Sequence, residues 1–154
     1  MSNLSDNKST EAPVIFKAGT VIFAQGRPSK YLYLVKKGEV ILLKANGQKL
    51  TGIQICKEKD ILNEVAILTN KPNTLSAVAK TDVELMLVDQ KDIMISIKSA
   101  PKWIPEIFST LCERLQHTQE MIEEHNLAGE KDARLLVGKE DEKKYLQAIA
   151  SYNS

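Results

Sequence analysis

Few of the residues that catalysis or metal binding would need occur in this chain, which holds two cysteines, two histidines and one tryptophan among 154 residues. Cys56 and Cys112 are far apart and belong to no CxxC pair, so neither a zinc site nor a secreted disulfide framework is indicated, and both read as ordinary reduced thiols. His117 and His125 fall on one helical pattern, too far apart to share a metal ion. No nucleophile stands beside a base, and Glu123-Glu124 reads as a solvated helix face. The chain is therefore expected to be no enzyme and to need no cofactor. A charge excess of either sign is also missing, because 21 lysines and arginines against 20 acids leave a formal net charge of +1. A nucleic-acid binder usually carries a basic excess that draws phosphates from a distance, so no nucleic-acid partner is expected. No stretch is apolar for the roughly 18 residues that a membrane span needs. The polar start Met1-Ser2-Asn3-Leu4-Ser5-Asp6-Asn7-Lys8 has no apolar segment like that of a signal peptide. A cytoplasmic protein without membrane contact is the expectation.

What the chain does have is a series of short β-rich runs divided by turn residues. Residues 1–12 read as a disordered lead, mostly polar and without periodicity. From Pro13 the runs are Val14-Ile15-Phe16, Val21-Ile22-Phe23, Tyr31-Leu32-Tyr33-Leu34-Val35, Val40-Ile41-Leu42-Leu43, Ile53-Gln54-Ile55, Leu75-Ser76-Ala77-Val78-Ala79 and Val83-Glu84-Leu85-Met86-Leu87-Val88. Spacing of about ten residues is the pattern of an all-β sandwich or barrel, here assigned to residues 13–100. Asn46-Gly47 accepts the positive φ angles of a tight type I′ hairpin. Gly19, Gly26 and Gly38 fall between runs, where a missing Cβ permits sharp reversal.

After Asp89 the period changes. Ile104, Phe108, Leu111, Leu115, Thr118 and Ile122 follow steps of four and three, the seam of a helix that pairs with another helix. Pro105 is tolerated only in a first turn, which starts the helix near Ile104 and carries it to about His125, within residues 101–126. At about 1.5 Å per residue such a helix is some 33 Å long. A small β domain cannot cover it alone, so the seam is expected to meet the same helix of a second subunit in a two-fold homodimer. The alternative is that the stripe packs back on its own β domain. Residues 127–154 form a tail punctuated by Gly129 and Gly138, with a charged stretch from Lys139 to Lys144. Tyr145-Leu146-Gln147-Ala148-Ile149-Ala150 could form a short amphipathic helix with Leu146, Ile149 and Ala150 on one side.

Phe16-Lys17-Ala18-Gly19-Thr20-Val21-Ile22-Phe23-Ala24-Gln25-Gly26 resembles the opening of the cyclic-nucleotide-binding domain family. Tyr31-Leu32-Tyr33-Leu34-Val35-Lys36-Lys37-Gly38-Glu39-Val40 is similar to the family's next hairpin. Lys59-Asp60-Ile61-Leu62-Asn63-Glu64-Val65-Ala66-Ile67-Leu68 resembles its phosphate-binding cassette. Arg114-Leu115-Gln116-His117-Thr118-Gln119 is similar to the dimer helix of the catabolite-activator branch. The resemblance runs from about Val14 to Glu124. It implies a mainly β fold with helices, a double-stranded β-roll (jelly roll) followed by a long C-terminal dimerisation helix. Only about 25 residues remain after Asn126, too few for that branch's helix-turn-helix domain.

The resemblance also implies a site. In the family's cassette a glutamate after a glycine accepts from a ribose hydroxyl, and a later arginine, helped by a serine or threonine, holds the cyclic phosphate. Here Glu64, beside Val65, matches the glutamate, Asn63 stands for the glycine, Asn73 for the arginine and Thr74 for the hydroxyl residue. On the dimer helix Thr118 matches a base-contacting threonine and Gln119 the serine that follows it. Asparagine can hold a left-handed backbone, so the turn at Asn63 can survive. The arginine's loss weighs more, since a guanidinium offers a planar fork of donors and an amide offers no charge. Losing one partner of a buried charged pair costs about 2–5 kcal/mol, very roughly 30- to 4,000-fold in affinity. Lys71 stands nearby but not at the arginine's spacing, and its simpler reading is a solvated loop lysine.

Two functions compete on these grounds. One is a homodimeric scaffold with weak or lost cyclic nucleotide binding, offering the helix, the Lys139-to-Lys144 stretch and the final helix to an unknown protein partner. The other is a stand-alone sensor that takes cyclic AMP, cyclic GMP or another small anionic ligand beside Glu64 and signals through the helix.

Overall fold

The computed structural model describes residues 12–121 in full, the backbone of 122–127, and residues 137–154. The lead over residues 1–11 and the start of the tail therefore lie outside the described residues.

Among the described residues eight strands make two antiparallel four-stranded sheets. Strands β1 (Val14–Phe16), β8 (Val83–Asp89), β3 (Tyr31–Lys37) and β6 (Ile61–Leu62) lie side by side in that order in the first sheet. The second holds β2 (Val21–Phe23), β7 (Ser76–Ala79), β4 (Val40–Asn46) and β5 (Lys49–Cys56). Among the described residues four helices accompany them: α1 (Glu64–Thr69), α2 (Gln90–Lys98), α3 (Trp103–Leu127) and α4 (Lys139–Asn153). This is the expected β-roll followed by a long helix.

Alternation of side chains along the strands explains the layering. Tyr31, Tyr33 and Val35 on β3 and Leu85 and Leu87 on β8 point inward to meet Phe23, Val40 and Ala77 of the other sheet, forming the main core. Phe23 and Tyr33 stack with ring centroids 5.5 Å apart. On β4 the intervening residues Ile41, Leu43 and Ala45 face outward into a second apolar cluster with Val21, Leu50 and Val78.

That outer cluster would face water if α4 did not cover it. Tyr145 is buried there, with Leu146, Ala148 and Ile149 packed around it. The Glu142 carboxylate accepts from the backbone N–H of Leu50 on β5 at 2.9 Å. The amphipathic helix expected in the tail is thus present but longer, and its inner face differs. Leu146 and Ile149 lie inward as expected, whereas Ala150 is exposed and Tyr145 and Ala148 take its place. The stripe Glu142, Tyr145, Leu146, Ile149 follows the i, i+3, i+4, i+7 rule, and Ala148, three residues after Tyr145, borders it, whereas Ala150 lies at the stripe's exposed edge.

The hairpin between β4 and β5 is also found, turned one residue later than Asn46-Gly47. Asn46 pairs with Lys49, leaving Gly47 and Gln48 as the reversal. Positive φ occurs at Gly47 (66°) and not at Gln48, the type II′ rather than the type I′ pattern.

Candidate functional site

Asp60-Ile61-Leu62 brings the chain along the edge of the first sheet, where Ile61 and Leu62 pair with Leu34 and Tyr33. The chain must then turn abruptly into α1. Asn63 makes that turn with φ 71° and ψ 17°, the left-handed region that asparagine tolerates better than other residues with a Cβ. Its side-chain amide donates to the Tyr31 carbonyl at 3.2 Å, which fixes the start of α1 against β3.

Beside this turn lies a cavity of about 190 Å³. Asn63, Glu64, Val65 and Ala66 form one wall, and Phe23, Leu42, Ile53 and Gln54 of the second sheet form another. Thr74 and Leu75, and Leu115, Thr118 and Gln119 of α3, complete the lining. Six of the seven residues named from the sequence as ligand candidates thus come together: Asn63, Glu64, Val65, Thr74, Thr118 and Gln119. The Gln119 side-chain amide donates to the Thr74 hydroxyl at 2.9 Å, tying α3 to the loop before β7.

Asn73 does not join them. It is buried outside the cavity lining, with its amide donating to the Ala24 carbonyl at 3.0 Å and its side-chain oxygen accepting from the Ser29 hydroxyl. Its backbone bonds Arg27 and Gly26 in the same turn. Asn73 therefore staples the loop after β2 to the loop before β7. Lys71 is exposed and likewise does not line the cavity.

Glu64 is the one acid of the lining, and burial among apolar groups raises its pKa, offset in part by its own backbone N–H. Cys56 is also buried, and desolvation with the nearby charges of Asp60 and Glu64 pushes its thiol up to about 12. A thiol so protonated is no nucleophile at neutral pH. Both cysteines are free, and among the described residues no cluster of three or more histidine, cysteine or acidic side chains could hold a metal.

Sequence reasoning missed Lys44. Its ammonium donates to the backbone carbonyl of the cavity residue Thr74 at 3.0 Å, although Lys44 itself does not line the cavity. The signal was available in the alternation of β4, where Lys44 follows Val40 and Leu42 on the inward side. Phe23, Leu42, Ile53, Gln54 and Leu75 were likewise read only as strand residues, because the cavity wall forms only where the second sheet meets α1 and α3 in the folded chain.

The expected dimer seam divides into two. Ile104 and Phe108 are half-buried on the side of α3 facing its own domain, and Phe108 shares a cleft with Leu68, Met94, Ile97 and the buried Cys112. Leu111, Leu115 and Thr118 are exposed, together with Trp103, Ile107 and Met121, which the sequence reading left out. The Ile122 side chain lies outside the described residues.

Residues 13–99 match the family model for the cyclic nucleotide-binding domain. Over 107 residues the chain is 29% identical to a CRP-like cAMP-activated global transcriptional regulator of Mycobacterium tuberculosis, spanning 69% of this chain and 48% of that protein. It is 39% identical over 70 residues to a cAMP-dependent protein kinase regulatory subunit of Aspergillus niger, covering 46% of this chain and 16% of that protein. Among solved structures it resembles the Thermus thermophilus catabolite activator protein, with a TM-score of 0.59 and 24% identity over 75% of this chain and 54% of that one. The chain thus spans about half or less of the length of these relatives. Among the described residues no helix is long and apolar enough to cross a membrane.

Proposed function

The chain belongs to the cyclic nucleotide-binding domain family, and from that premise we propose that it is a non-enzymatic cytoplasmic regulatory module, a homodimeric scaffold that binds cyclic nucleotides weakly or not at all. One observation carries this reading. The cavity keeps the acid Glu64, but the position matching the phosphate-holding arginine is Asn73, whose amide is spent on Ala24 and Ser29 outside the lining. A cyclic phosphate entering beside Glu64 meets a half-buried carboxyl without the guanidinium fork that would offset its charge.

The exposed row on α3 supports the homodimer. Trp103, Ile107, Leu111 and Leu115 recur every four residues and continue through Thr118 toward Met121. Side chains four apart lie on one helix face, so this row offers a self-complementary seam to a second copy. A protein partner would then meet the polar side of α4, since its apolar side is taken by the β-roll.

The sensor reading has its own support in the Gln119–Thr74 hydrogen bond, which couples α3 to the loop closing the cavity. Sedimentation velocity with and without cyclic AMP separates the two. A scaffold is expected to remain a dimer of unchanged shape in both conditions. A nucleotide-dependent change in sedimentation would replace it with the sensor.

A further inference from the structure

We propose that the cavity beside α1 accepts small organic cations, ligands with an apolar body and one ammonium group that pairs with the Glu64 carboxylate. The inference rests on the reading that this cavity has lost its grip on cyclic phosphates, and it names the ligand class left to it.

The charges of the walls point one way. Most of the lining is apolar, Phe23, Leu42, Ile53 and Leu115 among it, and Glu64 is its one charged residue. Among the described residues no lysine, arginine or histidine lines the cavity. Lys44 rests its ammonium on the Thr74 backbone carbonyl without joining the lining, and Lys71 also stays outside it. Among the described residues no cation pairs with Glu64 either.

The donors point the same way. An anion needs N–H groups or a positive charge turned toward it. The backbone N–H of Glu64, at the start of α1, already serves that residue's own carboxylate. The Asn63 amide donates to the Tyr31 carbonyl at 3.2 Å, and the Gln119 amide to the Thr74 hydroxyl at 2.9 Å. These donors are engaged within the fold, while the carboxylate has no countercharge.

Burial disfavours an ionised carboxyl, and an ammonium arriving beside it supplies the partner that the fold leaves out. An anion adds a second negative charge to the same space. The cavity's volume of about 190 Å³ is below the roughly 300 Å³ at which pockets for drug-sized ligands begin, so the ligand is small.

The test uses the full chain and three probes of one shape at neutral pH: phenethylamine, a cation; phenethyl alcohol, uncharged; and phenylacetate, an anion. Each is titrated by calorimetry and by amide chemical shifts into the wild type and Glu64→Gln. The wild type is expected to bind the amine about tenfold more tightly than the alcohol, and phenylacetate most weakly, with shifts at Val65, Ala66 and Thr118. Glu64→Gln is expected to bind amine and alcohol alike, and the alcohol's shifts at Thr118 show that the variant's cavity is intact. Glu64→Asp, which keeps the charge, is expected to keep the order of the three. Alcohol or phenylacetate binding as tightly as the amine, a preference that survives Glu64→Gln, or no binding of any probe at millimolar concentration overturns the assignment. The weak-binding reading fails on a separate result, low-micromolar saturation of the wild type by cyclic AMP, whatever the three probes do.

Discussion

Glu64 occupies a place where its ionised form is disfavoured, and that makes it a probe of the cavity independent of any ligand. Burial raises its pKa above the ordinary 4.5. The folded chain then holds the proton more tightly than the unfolded chain, so the stability this group contributes is present below the ordinary value and is lost as pH rises through the raised one. Replacing it by glutamine removes the loss. Glu64→Gln is expected to melt at a higher temperature than the wild type at neutral pH and to lose that advantage below about pH 4. A variant less stable than the wild type at neutral pH would mean that the ionised carboxylate has a stabilising partner. Asn73 tests the other half of the site. Asn73→Ala removes the bonds to the Ala24 carbonyl and the Ser29 hydroxyl, the carbonyl keeping only the Arg27 N–H at 3.2 Å, and is expected to cost about 1–3 kcal/mol in urea unfolding. A cost near zero would show that the two loops hold without this staple. The left-handed turn at Asn63 was legible because the residue type itself permits it. The orientation of Asn73 was not, because it depends on where Ala24 and Ser29 come to lie from a distant part of the chain.

Helix α3 presents different faces to different neighbours, and this decides how much of it could be read in advance. Its length and position follow from Pro105 and the four-and-three pattern, and the helix observed, Trp103–Leu127, starts one residue before the expected Ile104. The pattern alone could not say which of its apolar residues α1 and α2 would claim, since α2 was not foreseen as a separate helix. Phe108 goes to the cleft beside Met94 and Ile97, and the free seam moves to Ile107, Leu111 and Leu115. Ile107→Glu with Leu111→Glu is therefore expected to yield monomers by sedimentation equilibrium, with far-ultraviolet circular dichroism unchanged. Dimers that persist would move the interface elsewhere. Helix α4 teaches a similar lesson. Its amphipathic pattern was legible, but the surface it covers is built from Val21, Ile41, Leu43 and Val78 on strands brought together only by the sheet order. Tyr145→Ala is expected to cost about 3 kcal/mol. It should also speed amide hydrogen exchange at Leu50, whose N–H now reaches Glu142. Unchanged exchange at Leu50 would mean that α4 docks without its tyrosine.

At the scale of the molecule, the second sheet, α1 and α3 enclose a cavity, and the proposed ligand site and the proposed dimer surface share one element, α3. Leu115 and Thr118 both line the cavity and lie on the exposed row of α3. Under the proposed reading, a ligand in the cavity and pairing of the helix would therefore bear on each other. The strand runs and their glycine turns made the β-roll legible, because each inward position alternates with an outward one. The cavity's depth and the spending of Asn73 on its neighbours arise from long-range packing, which no local pattern encodes. Calorimetric titration of the full chain with cyclic AMP and cyclic GMP bears most directly on the proposed loss of the phosphate grip. Heat that fails to saturate until ligand approaches millimolar concentration is the expected result, and a saturating isotherm at low micromolar ligand would contradict it.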